Sequence, residues 1–420
     1  MSEVSHLSVY QQQGFKPFLS SRVLAMFASQ IQAVVVAWQI YDMTHNPMSL
    51  AYVGLAQFIP MLLLLIPAGD LIDRFDRKRI LQWSWAVDAL CSGLLLALSL
   101  SGTTNPTGFY AALVLYGCAR AFTGPALQSV LPQIVPKEQL AAAIAANSML
   151  MRTAAISGPL LGGGLYALGD GILTYSLCLI CFIGAAGLLQ YVPIRRAEPM
   201  PGNTLETTAW QRFTAGIHFI RSRPIILGTI SLDLFAVLLG GVVALLPIYA
   251  SEILHVGPWG LGALRSAMSI GEIVVGFYLS LYPFNRQVGM VMFAAVFTFG
   301  LANLVFSLSH SFVLSCVALM IAGGADMVSM YIRSALVQFS TPDAMRGRVN
   351  AVNMLFIGSS NELGEFRAGS AAAWLGTVPA AIMGCFFTLA VAGTWMMAFK
   401  PLREVGKFEE ASPATTPQPA

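Results

Sequence analysis

Apolar residues in this chain come in long runs broken by short polar stretches. They show neither the alternation of a half-buried strand nor the three-to-four spacing of a surface helix. Twelve runs stand out, at about 18–43, 48–69, 80–101, 108–131, 141–168, 172–192, 224–250, 258–282, 288–308, 312–338, 349–375 and 377–398. Each is close to the ~20 residues that carry a helix across a bilayer. Gly and Pro recur inside them, as at Gly158, Pro159, Gly162, Gly163, Gly164, Gly240 and Gly241. In lipid such residues let helices bend or approach closely, whereas in water they argue against a helix. The expectation is an all-α polytopic membrane protein with twelve transmembrane helices.

The polar breaks divide the chain. The longest, 193–223, separates residues 1–192 from 224–400, and residues 401–420 form a tail rich in Pro, Thr and Ala. Short phrases recur between the two long segments. Pro136 and Asn147 return as Pro342 and Asn353, and Gly158 and Gly163 return as Gly364 and Gly369. Ile40, Tyr41 and Gly54 return as Ile248, Tyr249 and Gly262. Two pseudo-symmetric six-helix halves follow, an organisation suited to a transporter with a polar site at the repeat interface. Trp210, Phe213, Ile217 and Ile220 recur at helical spacing in the linker, flanked by Arg212, Arg221 and Arg223. They predict an amphipathic helix on the inner membrane surface. The tail reads as disordered and cytoplasmic.

Composition sharpens the class. Of 420 residues, 56% are hydrophobic and 10% charged, with a mean hydropathy of +0.70. Soluble domains carry about 25% charged residues. A cytosolic enzyme, a nucleic-acid binder and a disordered protein are thereby excluded. The net charge of +3 is too small to imply a polyanionic partner, but its placement is informative. Of the 23 basic residues, all but Arg120, Arg152, Arg265, Arg333 and Arg367 fall in the segments on one side of the twelve-span scheme. Lys and Arg concentrate on the cytoplasmic side. This places both termini in the cytoplasm, with the first span retained rather than cleaved.

The six cysteines all lie in apolar runs, so core packing is the favoured reading even for the Cys178–Cys181 pair. The five histidines fall in or beside polar loops. No nucleophile–base or metal-binding arrangement lies at membrane depth, so neither an enzyme nor a metal or other cofactor is expected.

The first inner loop runs from Gly69 to Leu81 and includes Asp73, Arg74, Asp76, Arg77, Lys78 and Arg79. It resembles the loop signature of the major facilitator superfamily, departing at Asp76, where that pattern has Gly. The physical reading is a tight turn whose carboxylate, Asp73, is free to cap a neighbouring helix N-terminus. Such contacts contribute about 0.3–2 kcal/mol. A conformational latch of Gly69, Asp73, Arg74 and Arg77 follows, with topology-setting charge as the plainer alternative. The counterpart loop, 282–286, lacks the pattern. Arg120 followed by Gly124 resembles the superfamily's R-x-x-x-G motif, whose Arg is implicated in proton coupling. Gly158, Pro159, Gly162 and Gly163 resemble the gating Gly/Pro motif of its antiporting exporters. Phrases at 232–241, 253–262 and 361–366 are similar to the exporter subfamily that includes a siderophore exporter. The resemblance implies a proton-coupled antiporter exporting a small amphipathic organic molecule, a siderophore before other classes. Multidrug efflux and a lipid or lysophospholipid flippase remain as alternatives. Its partners are then a small-molecule substrate, protons and the lipid bilayer, with no nucleic acid and a monomeric state.

Charges inside the spans carry the candidate chemistry, because each costs at least ~2.5–3.5 kcal/mol at the bilayer centre unless it faces a partner or a cavity. Asp233, Asp326, Glu272, Glu362 and Arg120 are the proton-coupling candidates, with Asp326 the repeat counterpart of Arg120. Arg152, Asp88 and Phe235 are candidates for lining a substrate cavity. The basic members lean to the first half and the acidic ones to the second, which suggests a cavity with opposed walls. Arg265 with Glu272, and Glu365 with Arg367, are expected to be local structural pairs.

Overall fold

The computed structural model describes residues 12–136, 139–193 and 209–411. All regular structure among the described residues is helical. Lipid offers the backbone no hydrogen-bond partners, and a helix satisfies its own N–H and C=O groups. The helices are α1 (Phe15–Thr44), α2 (Pro47–Arg74), α3 (Arg77–Leu100), α4 (Thr107–Ile134), α5 (Leu140–Leu188), α6 (Ala209–Ser222) and α7 (Pro224–Gly240). They continue with α8 (Leu246–Ile248), α9 (Gly257–Leu281), α10 (Val288–Leu308), α11 (Phe312–Ser340), α12 (Asp343–Leu375), α13 (Thr377–Ala398) and α14 (Lys400–Arg403). Among the described residues, nine helical stretches are long and apolar enough to cross a membrane. The protein is therefore a multi-pass membrane protein.

The chain forms two compact units. The first comprises residues 1–44 and 56–206, the second residues 45–55 and 207–420. The start of α2 thus groups with the second unit. Gly54 shows why: a Cβ there would lie 3.4 Å from the carbonyl oxygen of Glu362 and 3.5 Å from the Cβ of Glu365, both on α12. Gly369 meets Ala51 at similarly short range.

In the first unit α1 packs along α5, and α3 packs against both α4 and α5. The Gly/Pro motif lies at the α1–α5 contact. A Cβ on Gly158 would stand 2.6 Å from the Cβ of Gln30, and one on Gly162 3.1 Å from the Cα of Ile31. Small residues let the two backbones touch, the usual basis of helix association in lipid. Polar side chains lace the same helices. The Tyr175 hydroxyl donates to Gln39 Oε1 at 2.8 Å, and Gln39 Nε2 donates to Ser99 Oγ at 3.1 Å. The helix α5 is interrupted at Gly169 and Asp170, the latter with φ 51°. Two of the expected spans, 141–168 and 172–192, are therefore joined here without a loop.

In the second unit α9 and α11 meet through Gly271 and Gly323, each placed where a Cβ would collide with a backbone carbonyl of the other helix. Helix α7 stops at Gly240, which presses on Thr388 of α13. Arg367 on α12 serves this end: Nε donates to the Leu238 carbonyl at 3.1 Å and Nη2 to the Gly241 carbonyl at 3.2 Å. A basic donor is favoured where a helix leaves its last carbonyls unpaired.

Two peripheral expectations need correction. The apolar face of α6 is covered by protein: Ile220 is buried with Val337, Val349 and Val352, and Phe213 and Ile217 pack beside it. The segment after α13 is also ordered as far as Ala411, where disorder was expected. Phe408 is 6% exposed and packs against Phe284, Tyr331 and Phe339. Asn285 Oδ1 accepts from the Phe408 N–H at 2.9 Å, and Asn285 Nδ2 donates to both oxygens of Glu409 at 2.9 Å. The carbonyls of Val405 and Gly406 accept from Gly289 and Val288, the first N–H groups of α10. The segment thus caps α10 with backbone carbonyls. Residues 412–420 lie outside the described residues.

Candidate functional site

Helix α11 places Asp326 fourteen residues from either end, about 21 Å along the axis. Arg333 follows two turns later, so both side chains share one face of the helix. Asp233 arrives from α7, which packs against α11. Arg333 Nη1 pairs with Asp233 Oδ1, and Arg333 Nη2 lies 3.8 Å from Asp326 Oδ1. The side chains of Arg333, Asp233 and Asp326 are 15%, 10% and 33% exposed. One guanidinium is thus shared by two carboxylates. With both acids ionised, the cluster carries one uncompensated negative charge, and a single bound proton makes it neutral.

Sequence alone points to both acids but sets Arg120 against them and leaves Arg333 only among the span arginines. The structure makes Arg333 their partner. A signal was present in the seven-residue spacing of Asp326 and Arg333, which puts opposite charges on one helical face. Glu272 on α9 and Glu362 on α12 belong to the same unit. Phe235 packs on Trp395 of α13, with ring centroids 5.2 Å apart. Arg265 interacts electrostatically with Glu365 across α9 and α12, while Arg367 is occupied by the end of α7.

The first unit has its own charged cluster. Asp88 on α3 is 4% exposed, and Arg120 on α4 is its electrostatic partner. The Arg120 guanidinium carbon lies 5.9 Å from the centroid of the Tyr116 ring. Arg152 lies on α5 of this unit. A carboxylate and an arginine of the same unit therefore accompany each other.

The motif from Gly69 to Leu81 is mostly helix. Helix α2 continues to Arg74, α3 begins at Arg77, and Gly69 has open space where a Cβ would be. Asp76, the departure from the family pattern, is the N-cap of α3 and accepts from the Lys78 N–H at 2.9 Å. Such a cap contributes about 1 kcal/mol. Lys78 Nζ donates to the carbonyls of Gln190 and Val192 at 2.9 and 2.7 Å, tying α3 to the chain that follows α5. The side chains of Asp73 and Arg74 lie outside the described residues.

The family model described as transmembrane secretion effector, within the major facilitator superfamily, matches residues 4–420. The chain belongs to this family. Its members' resemblance extends to curated relatives. The enterobactin exporter EntS of Citrobacter koseri is 25% identical over 415 residues, covering 95% of this chain and 94% of that one. The enterobactin exporter EntS of Escherichia coli O1:K1 is 24% identical over 418 residues, covering 96% and 95%. Among solved structures, a bacterial homologue of the iron transporter ferroportin matches with a TM-score of 0.70 at 17% identity, covering 93% of this chain and 98% of that one. A bacterial homologue of the human lysosomal transporter Spinster matches with a TM-score of 0.69 at 15% identity, covering 97% and 98%. These structures share the fold of this chain. The family and its neighbours are transporters rather than enzymes.

Proposed function

We propose that the protein is a proton-driven antiporter of the bacterial inner membrane that exports a small amphipathic organic molecule of the siderophore class. The observation that carries the coupling is the Asp233–Arg333–Asp326 triad. The substrate class rests on similarity along nearly the whole chain to exporters of enterobactin. A shared arginine makes the two acids competitors. When Asp326 is ionised it draws on the guanidinium that holds Asp233. When it is protonated, Arg333 and Asp233 form a closed neutral pair. Proton binding at mid-depth is thereby converted into a change in how α7 and α11 are tied together. One charge crossing 100 mV of membrane potential supplies about 2.3 kcal/mol, enough to bias such a change appreciably.

The reading includes twelve spans with both termini cytoplasmic. The nine apolar stretches become twelve when α5 is counted on both sides of its break and the charged helix α12 and Arg120-bearing α4 are added. Asp73 acts as a latch, and the Gly158–Gly163 contact is where α1 and α5 slide during gating.

The test is export of enterobactin by vesicles of the reconstituted protein under an imposed pH gradient. Wild-type protein accumulates enterobactin uphill, and Asp326→Asn and Asp233→Asn permit only downhill exchange. Uphill transport by both variants would refute the coupling role. Equal uphill transport of a lipid analogue or of an apolar drug, with none of enterobactin, would replace the substrate class.

A further inference from the structure

The transport reading assigns the triad of the second unit but gives no work to Asp88. This residue sits eleven residues into the 24-residue helix α3, about 17 Å along the axis and near its midpoint. It is 4% exposed, and its Oδ1 is buried without a hydrogen-bond partner. Its backbone carbonyl accepts from Ser92 Oγ at 3.1 Å, and Ser92 Oγ also donates to Gln32 Oε1 at 2.6 Å. Gln32 Nε2 donates to Cys91 Sγ at 3.7 Å. The polar groups beside Asp88 are thus engaged with one another while a carboxyl oxygen goes without a donor. An ionised carboxylate in that position would present an unsolvated charge, whereas a protonated one is neutral and needs only weak acceptance.

The surroundings supply a means of expelling the proton. On α4, Arg120 acts electrostatically on Asp88, and its guanidinium lies over the Tyr116 ring, a further titratable group in electrostatic contact with Asp88. On α3 itself Cys91 is the neighbouring titratable group, and beyond it Cys178 comes from α5. Helix α1 offers the uncharged Gln32. Of these groups Arg120 alone carries a fixed positive charge, and a guanidinium brought onto a carboxyl favours its ionised form.

We propose that Asp88 is a second proton-carrying site, built into the first unit and separate from the triad, with Arg120 as the charge that discharges it. The transporter then has one titrating carboxyl site in each unit. Asp88 is a proton carrier rather than a substrate contact. Its use in transport rests on the antiport reading above, but its protonation does not, and the two are separable by experiment.

The full-length protein in lipid vesicles is titrated at neutral pH, without substrate, while the infrared carbonyl band of buried protonated carboxylic acids is recorded. Wild-type protein shows the band. Asp88→Asn, which mimics the neutral acid in size and charge, removes one component of it. Asp88→Glu, a second variant, keeps the component but shifts its frequency. Asp326→Asn leaves that component in place. An unchanged band in Asp88→Asn would overturn the proposal, as would a component lost only with Asp233 or Asp326. If the Asp88 component is present yet enterobactin export ignores the pH gradient, the antiport reading fails while the protonated Asp88 stands. In coupled vesicles Asp88→Asn lowers the protons exchanged per enterobactin relative to wild type, and an unaltered ratio would likewise overturn the proposal.

Discussion

Replacing Arg333 by Leu separates the physics of the triad from its role in transport. The guanidinium is the shared counter-charge of Asp233 and Asp326, and Asp233 is only 10% exposed. Removing one partner of a buried pair leaves a charge without compensation and destabilises by about 3–5 kcal/mol. Asp326, one-third exposed, adds little to that loss because water screens it. For a cooperative unit of about 200 residues, 1 kcal/mol corresponds to roughly 2–4 °C, so Arg333→Leu lowers the melting temperature by about 6–20 °C. The cost arises from a stranded carboxylate, so neutralising it must restore stability. Arg333→Leu/Asp233→Asn therefore recovers most of the loss, whereas Arg333→Leu/Asp326→Asn recovers little. Thermal unfolding of detergent-purified protein, followed by tryptophan fluorescence, reads all three. An unchanged melting temperature in Arg333→Leu would refute the buried pair. Equal melting of Arg333→Leu and its Asp233→Asn double variant would refute Asp233 as the stranded charge.

Further consequences follow from the packing. Phe408→Ala empties an aromatic site beside Phe284, Tyr331 and Phe339 and costs up to about 3–5 kcal/mol; limited proteolysis should then cut between Lys400 and Ala411, where wild-type protein resists. Hydrogen bonds from Asn285 hold the Glu409 carboxyl below its ordinary range, so this docking contact is present above the usual carboxylate pKa and is lost as pH falls through the lowered value; Asn285→Ala removes the contact, so proteolysis of this segment should rise at neutral pH and lose that pH dependence. Arg367→Met strands the carbonyls of Leu238 and Gly241 and costs about 1–3 kcal/mol in thermal unfolding, with Arg367→Lys milder. Gly162→Val forces α1 away from α5 at Ile31 and costs about 1–3 kcal/mol, measurable in the same assay.

Hydrophobic runs are enough to read a helical, multi-pass membrane protein, because the length of a lipid-spanning helix is set by the bilayer. Side-chain partners were less legible. Glu365 and Arg367 are two residues apart and so point to different sides of α12, which leaves Arg367 to the end of α7 and Glu365 to Arg265. Asp76 looked like a lost glycine, yet the two-residue gap between α2 and α3 puts it at an N-cap, where Asp is a preferred residue. The apolar stripe of α6 was visible, but periodicity shows only that a face is apolar and not whether lipid or Val349 covers it. The last ordered segment was missed because Val405 and Phe408 are too few to mark a core by composition, although they join a large one. Asp233 and Asp326 were found as costly charges in apolar helices. Their common arginine depends on the contact of α7 with α11, which no local pattern encodes.

The central claim is that two carboxylates sharing Arg333 couple proton entry to export. Its most direct test is proton flux recorded together with enterobactin flux in one population of vesicles holding wild-type protein or Asp326→Asn. The account predicts that wild-type protein moves protons in only while enterobactin moves out, and that Asp326→Asn moves fewer protons per enterobactin than wild-type protein. Proton movement in Asp326→Asn that still follows enterobactin as in wild-type protein would contradict it.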